Sequence, residues 1–269
     1  METFVILDSM YKMKSKIIIF EGTMKDGLFT RSRRFYPENY TEEDIYNAYK
    51  KDRIKLGKKY GFSGLKMFHP RQKMEDNDRY PDNKAVFLDE KYMQKEDYFQ
   101  ENIEADILII SKDYPKIAVT HNMADCPVLI AEDRKKGITA LAHCGIYHIN
   151  RGLPKAMIET LIKDNSNPQN IYLYIGSHIK KDNYIYDKYP PQATNEEIWK
   201  DAIEKKEGKY YINLEKAIRN QLKDYSLGEI MVSAIDTEEH PDYASHRKEK
   251  EGNTSKKGQN IVGFYYIER

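Results

Sequence analysis

Cys126 follows Asp125 and precedes Pro127 in HNMADCPVLI (121–130), where the chain passes from polar residues into an apolar run. It is one of two cysteines in 269 residues. A thiol in that place has two readings. It is a small buried side chain opening a strand, as free cysteines commonly are, or a nucleophile or metal ligand held where a strand meets a loop. His143 ends a second apolar run, ITALAH (138–143), and carries the same pair of readings, a hydrogen-bonded core histidine or a functional one. Seven histidines stand at 69, 121, 143, 148, 178, 240 and 246, with no HExxH, CxxC, P-loop or GxGxxG among them. Any chemistry built from these residues depends on tertiary convergence.

The elements that must bring them together are short and mixed. Runs rich in β-branched residues or tyrosine predict strands at 16–20, 106–111, 116–120, 127–131, 138–143, 170–175, 229–235 and 260–267. Thr41 opens a helix through an acidic first turn, and Gly61 stands near its end. Gly152 and Pro154 open another over LPKAMIETLIKD, with Leu153, Met157, Ile158, Leu161 and Ile162 as its apolar stripe. Thr194 and Glu197 predict a capping box before a helix in EIWKDAIEKK, and Asn213 caps LEKAIRNQLKDY. This interleaving predicts an α/β (α+β layered) fold, a mixed β-sheet flanked by helices. No linker or repeat interrupts it, so residues 1–269 read as a single domain.

Composition narrows the partners. Lys and Arg number 44 against 43 Asp and Glu, a net charge of +1, so no bulk electrostatic attraction to nucleic acid or an anionic membrane is expected. The longest apolar runs, such as IIIF (17–20) and ILII (107–110), are far below the ~20 residues that span a bilayer. Glu2 and Asp8 interrupt the N-terminus, so no secretory signal is expected. Two cysteines make no disulfide framework, and a reducing cytoplasmic setting is expected. The 22 tyrosines beside the single Trp199 receive no functional assignment.

The order of short motifs adds to this. KMFHP (66–70), EADILII (104–110), MADCPVLI (123–130), ITALAHCG (138–145), RGL (151–153), YIGSHI (174–179), INLEKAIRNQL (212–222) and SHRK (245–248) follow one another along the chain. That series resembles the laccase-domain family, also called polyphenol oxidase or peptidoglycan editing factor proteins, which includes purine nucleoside-processing enzymes. The resemblance spans about residues 20 to 267 and implies a laccase-domain-like fold. It departs from the family pattern at Met67 and Pro70, around the first histidine, and in the lengthened AHCGIYHINRG loop.

The resemblance implies one zinc ion held by His69, Cys126 and His143, with a fourth position left for water or substrate. It implies phosphorolysis of adenosine, inosine or guanosine, with inorganic phosphate as co-substrate, and adenosine deamination as an accompanying activity. Asp125 then orients a ligand or substrate from behind Cys126; without a site it caps the local turn. Arg53, spaced by four from Tyr49 and Ile45, snorkels or points into a polar pocket. Arg53, Arg247 and Arg31 are the candidates for phosphate or nucleoside, and each is otherwise a solvated or ion-paired arginine. His148, in the lengthened stretch, extends the metal site or caps the loop. Two further readings stand beside this one: a Cys-His hydrolase of peptidoglycan precursors, with Cys126 as nucleophile and His143 as its base, and a metal-stabilised binding protein without catalysis. A multicopper centre is not expected from scattered histidines without an H-x-H pair.

Overall fold

The structure, a computed structural model, describes residues 5–7, 17–71, 83–94 and 103–268. Most of the N-terminal stretch read for a leader, and Lys16 of the first predicted strand, lie outside these residues. Two sheets face each other. The first runs in the order Val5–Leu7 (β1), Ile17–Gly22 (β2), Asn260–Tyr266 (β16), Ala118–Met123 (β8) and Met67–Phe68 (β3). It is antiparallel except for β3 against β8. The second runs Glu229–Val232 (β15), Ile171–Ile175 (β11), Val128–Asp133 (β9), Ile138–His143 (β10), Ile107–Ser111 (β7) and Ala85–Leu88 (β5). Its edge pairs are parallel and its centre is antiparallel.

Strand alternation sets the layers, because successive side chains point to opposite faces. Val128, Ile130, Leu141 and Tyr174 of the second sheet meet Val119, Val262 and Phe264 of the first. The other face of the second sheet, with Leu129, Ala131, Ala140 and Ala142, packs against the helices Leu153–Lys163 (α4) and Leu214–Leu222 (α6). On the far side of the first sheet, Phe20, Ala118, Ile261 and Tyr265 pack on Leu56 and Tyr60 of Glu42–Tyr60 (α1). The result is helix, sheet, sheet, helix. Each fully buried aliphatic or aromatic side chain contributes roughly 1.5–3 kcal/mol. A helix cap contributes about 1 kcal/mol, so packing carries the fold and caps only set boundaries.

The helix starts follow their sequence signals. Thr41 and Asp44 close a capping box on α1, and Gly61 ends it at φ 90°, a left-handed cap that glycine adopts without strain. Asn213 caps α6 through Lys216 N–H. Short helices Glu90–Met93 (α2), Ile146–Asn150 (α3), Glu196–Trp199 (α5) and His246–Lys250 (α7) complete the described set. Among the described residues no helix is long and apolar enough to cross a membrane.

One expected helix is replaced. EIWKDAIEKK gives only the single turn α5, capped by Asn195 rather than Thr194. The chain then forms Ile203–Lys206 (β13) and Lys209–Ile212 (β14), a hairpin whose turn residues Glu207 and Gly208 have φ of 52° and 78°. Two positive φ values over two residues match the twist of an antiparallel pair. The tyrosines of KYYI and the pairing of β14 with Ile185–Tyr186 (β12) outweigh the local helix propensity.

A buried carboxylate marks the inter-sheet layer. Glu132 on β9 lies opposite Thr139 and Tyr172 on its neighbouring strands, and is 2% exposed. Burial pushes it from 4.5 to about 7, against the opposing pull of Arg134, whose Nε is 3.5 Å away. A raised carboxyl pKa means the folded state keeps a proton that the unfolded chain gives up. Stability is therefore whole below pH 4.5 and falls as pH rises towards about 7. Glu132→Gln is expected to match the wild type at pH 4 and to exceed it by roughly 3 kcal/mol above pH 8, read by urea unfolding across that range.

Candidate metal centre

The chain leaves the first sheet at the end of β8 and enters the second at the start of β9, so residues 124–127 cross the gap between the sheets. That short crossing puts Asp125 at φ 80°, a left-handed conformation that aspartate tolerates better than most residues. Its buried carboxylate accepts from Thr237 Oγ1 at 2.8 Å, Ser245 Oγ at 3.1 Å and Arg247 N–H at 2.7 Å. Its carbonyl accepts from Ile179 N–H at 3.0 Å. Burial raises the Asp125 pKa, and the three donors oppose that rise. Asp125 both shapes the turn and fastens the 237–247 segment beside Cys126.

Beyond the crossing, the β9–β10 ladder pairs Val128 with His143, and Cys144 N–H donates to Pro127 O at 2.8 Å. Gly145 then lies against Cys126. A Cβ on Gly145 would stand 3.0 Å from Cys126 Sγ and 3.7 Å from His148 Nδ1. Glycine here keeps the space for the thiol. Cys144 belongs to the core on the helix side of the sheet. Cys126 stays partly exposed, and among the described residues both cysteines are free.

Four histidines that lie far apart in the chain form a row. His121 comes from β8, beside Val262 of β16, and His143 comes from β10 across the gap; their rings stack at 4.6 Å. His69, just after β3, is 4.8 Å from His121, and His148 of α3 is 5.6 Å from His143, all between ring centroids. Burial drives the pKa of His69 and His143 well below the ordinary value, with neighbouring imidazoles adding to it, and lowers His121 to about 4. At neutral pH these rings are uncharged, the form that binds metal.

The remaining expected residues fall around this row. Arg53 is 1% exposed on the inner face of α1, donating to Tyr49 Oη at 2.9 Å and to Met67 O, the strand that delivers His69. It therefore braces β3 from within the core. Arg247 lies partly exposed above Tyr186 and Tyr184, at 4.9 Å and 5.4 Å from the ring centroids, and among the described residues no carboxylate pairs with its guanidinium. Arg31 is exposed, 5.9 Å from the Tyr46 ring, in the segment whose Phe29 carbonyl accepts from Asn122 Nδ2. His148 is a buried helical residue next to His143 rather than the cap of an open loop. His121 had no assigned role, although its two-residue spacing from Val119 and Met123 on one strand places it on the inter-sheet face.

Whether these residues suit a metal ion turns on their donor chemistry. Among the described residues, no group of three or more His, Cys, Asp or Glu side chains is placed to hold a metal ion as they stand. The donor set fits all the same. Neutral imidazoles and a thiol are borderline-soft ligands suited to zinc or copper, and His121 Nε2 is buried with no hydrogen-bond partner. Burial, with Asp125 as the second cause, pushes the Cys126 thiol up to about 12. Only a nearby cation would hold it as thiolate at neutral pH.

The family described as "Multi-copper polyphenol oxidoreductase laccase" matches residues 42–262. The chain belongs to that family. Among solved structures, this laccase-family chain is similar to the Bacillus licheniformis hypothetical protein YfiH, with TM-score 0.71, 18% identity, and 98% and 99% of the two chains covered. It is similar to YlmD from Geobacillus stearothermophilus, with TM-score 0.71, 16% identity, and 98% and 100% covered. The Neisseria meningitidis protein NMB0706 gives TM-score 0.67, 17% identity, and 98% and 99% covered. A search of curated proteins gives no match. Likeness at this identity shows a shared fold, the mixed α/β layering described above.

Removing the Asp125 carboxylate strands three donors. Asp125→Ala is expected to lower stability by roughly 3 kcal/mol in urea unfolding. The exposed Lys216→Ala should stay within about 0.5 kcal/mol of wild type. Equal effects from the two would remove Asp125 as the fastener of this region.

Proposed function

We propose that this laccase-family chain is a zinc-dependent enzyme of purine nucleosides. It cleaves adenosine, inosine or guanosine with inorganic phosphate, and deaminates adenosine at the same site. The observation that carries the reading is the row of imidazoles beside Cys126 at the crossing between the sheets. His69, Cys126 and His143 are the residues that would hold the ion. A bound zinc ion supplies Lewis acidity and keeps Cys126 as thiolate.

The chain's own residues do the rest. In phosphorolysis a phosphate oxygen bonds to the ribose C1′ while the glycosidic bond breaks, and the purine leaves with a proton. The reactant anion needs a fixed positive charge, and the guanidinium of Arg247, which pairs with no carboxylate among the described residues, supports that role. Tyr184 and Tyr186, whose hydroxyls are 3.0 Å apart, offer aromatic faces under the arginine for a planar base. Asp125 holds the backbone of Arg247, so the anion position is tied to the thiol by one carboxylate. Arg53 acts at a distance by fixing the strand before His69. A reducing, cytoplasmic setting suits a thiol that must stay free.

The Cys-His hydrolase reading is disfavoured by the raised thiol pKa, the opposite of an activated nucleophile. The multicopper chemistry in the family's description needs more imidazoles than this row supplies.

Zinc-loaded protein incubated with adenosine and inosine is expected to release free base and ribose 1-phosphate only when phosphate is present, read by product mass. His143→Ala should lower kcat/KM by about 100-fold or more. Arg247→Ala should raise the KM for phosphate about tenfold. No turnover of either nucleoside by the loaded protein would sink the proposal.

A further inference from the structure

Strand β8 carries a side chain that the motif series does not account for. His121 is 8% exposed, and its Nδ1 lies 2.7 Å from Asn122 O. A carbonyl oxygen only accepts, so Nδ1 holds the hydrogen and Nε2 of the neutral ring is a bare lone pair. That Nε2 is buried and, among the described residues, without a hydrogen-bond partner. An acceptor left in this state loses the hydration it had in water and gains nothing in return, so a buried occupant with positive character is the natural complement.

The neighbours are acceptors too. Thr120 donates its hydroxyl to Phe68 O at 3.2 Å, so towards His69 Nδ1, a long 3.5 Å away, it can only accept. His69 thereby favours the same tautomer, with its Nε2 also bare. Imidazoles that ligate metals show this pattern, donating the other ring N–H to a backbone carbonyl or a hydroxyl behind them. Imidazoles bound at about 2.1 Å to one tetrahedral ion have ring centroids about 5 Å apart. The spacings of His121 from His69 and His143, 4.8 Å and 4.6 Å, are already of that size.

We propose that His121, through Nε2, is a fourth protein donor to the ion, making the centre three imidazoles and one thiolate. This rests on the metal reading above and goes beyond its three ligands. Four protein donors complete a tetrahedral shell. A substrate group then reaches the ion only as a fifth ligand or by displacing His121, which makes this residue the control on access.

X-ray absorption of the zinc-loaded wild type counts the shell directly, and three nitrogens with one sulfur are expected. His121→Phe keeps a ring between His69 and His143 but removes Nε2. It should lose one nitrogen from the shell and weaken zinc binding at least about tenfold in competition with a chromophoric chelator. The thiolate-to-metal band of its cobalt form should remain. Two nitrogens and one sulfur in the wild type, or unchanged affinity in a folded His121→Phe, would overturn the proposal while leaving the three-ligand site standing. A wild type that takes up neither zinc nor cobalt would end both readings.

Discussion

The turn at Asp125 is the constraint from which the centre hangs. β8 and β9 belong to different sheets, and four residues carry the backbone across the gap between them. So short a crossing exposes backbone and side-chain donors of the adjoining loop to a dry environment, where each needs an acceptor. One carboxylate meets three of them. Cys126 leaves this turn in a fixed direction, against a glycine that leaves room for its sulfur. Glu21 does the same work on the other side of the loop, accepting from Tyr174 Oη, Ser177 N–H and Tyr243 Oη within 3.0 Å. Lys256 completes the frame by donating its buried ammonium to the carbonyls of Thr237, His240 and Tyr243.

Burial then decides what the gathered side chains are. Imidazoles packed between two apolar sheets lose the protonated form because a cation there forfeits its hydration. Each added ring makes protonation of the next less favourable, so the row is self-reinforcing as a set of neutral donors. The same physics holds the Cys126 thiol protonated. Arg53 shows a different case: a guanidinium buried inside the core that donates to a backbone carbonyl and a tyrosine hydroxyl.

Kinship and chemistry separate in this chain. At 16–18% identity the solved relatives share nearly the full length of the fold. The packing of two sheets between helices tolerates wide substitution so long as the alternation of faces is kept. The site is not protected in that way. The stretch after His143 forms α3, which adds His148, and β8 contributes His121.

By itself the sequence determined the elements whose signals are local. The capping box and glycine stop of α1 follow from one turn of chain at each end, and the central strands follow from runs of β-branched residues. It failed at 200–206, where local helix preference was set against a hairpin that pairs with β12 across the sheet. The family resemblance singled out His69, Cys126 and His143 because they lie inside ordered motifs. What only the tertiary structure decided is which residues join them. His121 and His148 are spread along the chain and brought together by sheets packed face to face, and Arg53 is turned inward by the same packing. Pairing across a gap depends on register and layer order, which arise from contacts between residues distant in sequence, and no single stretch of chain encodes them.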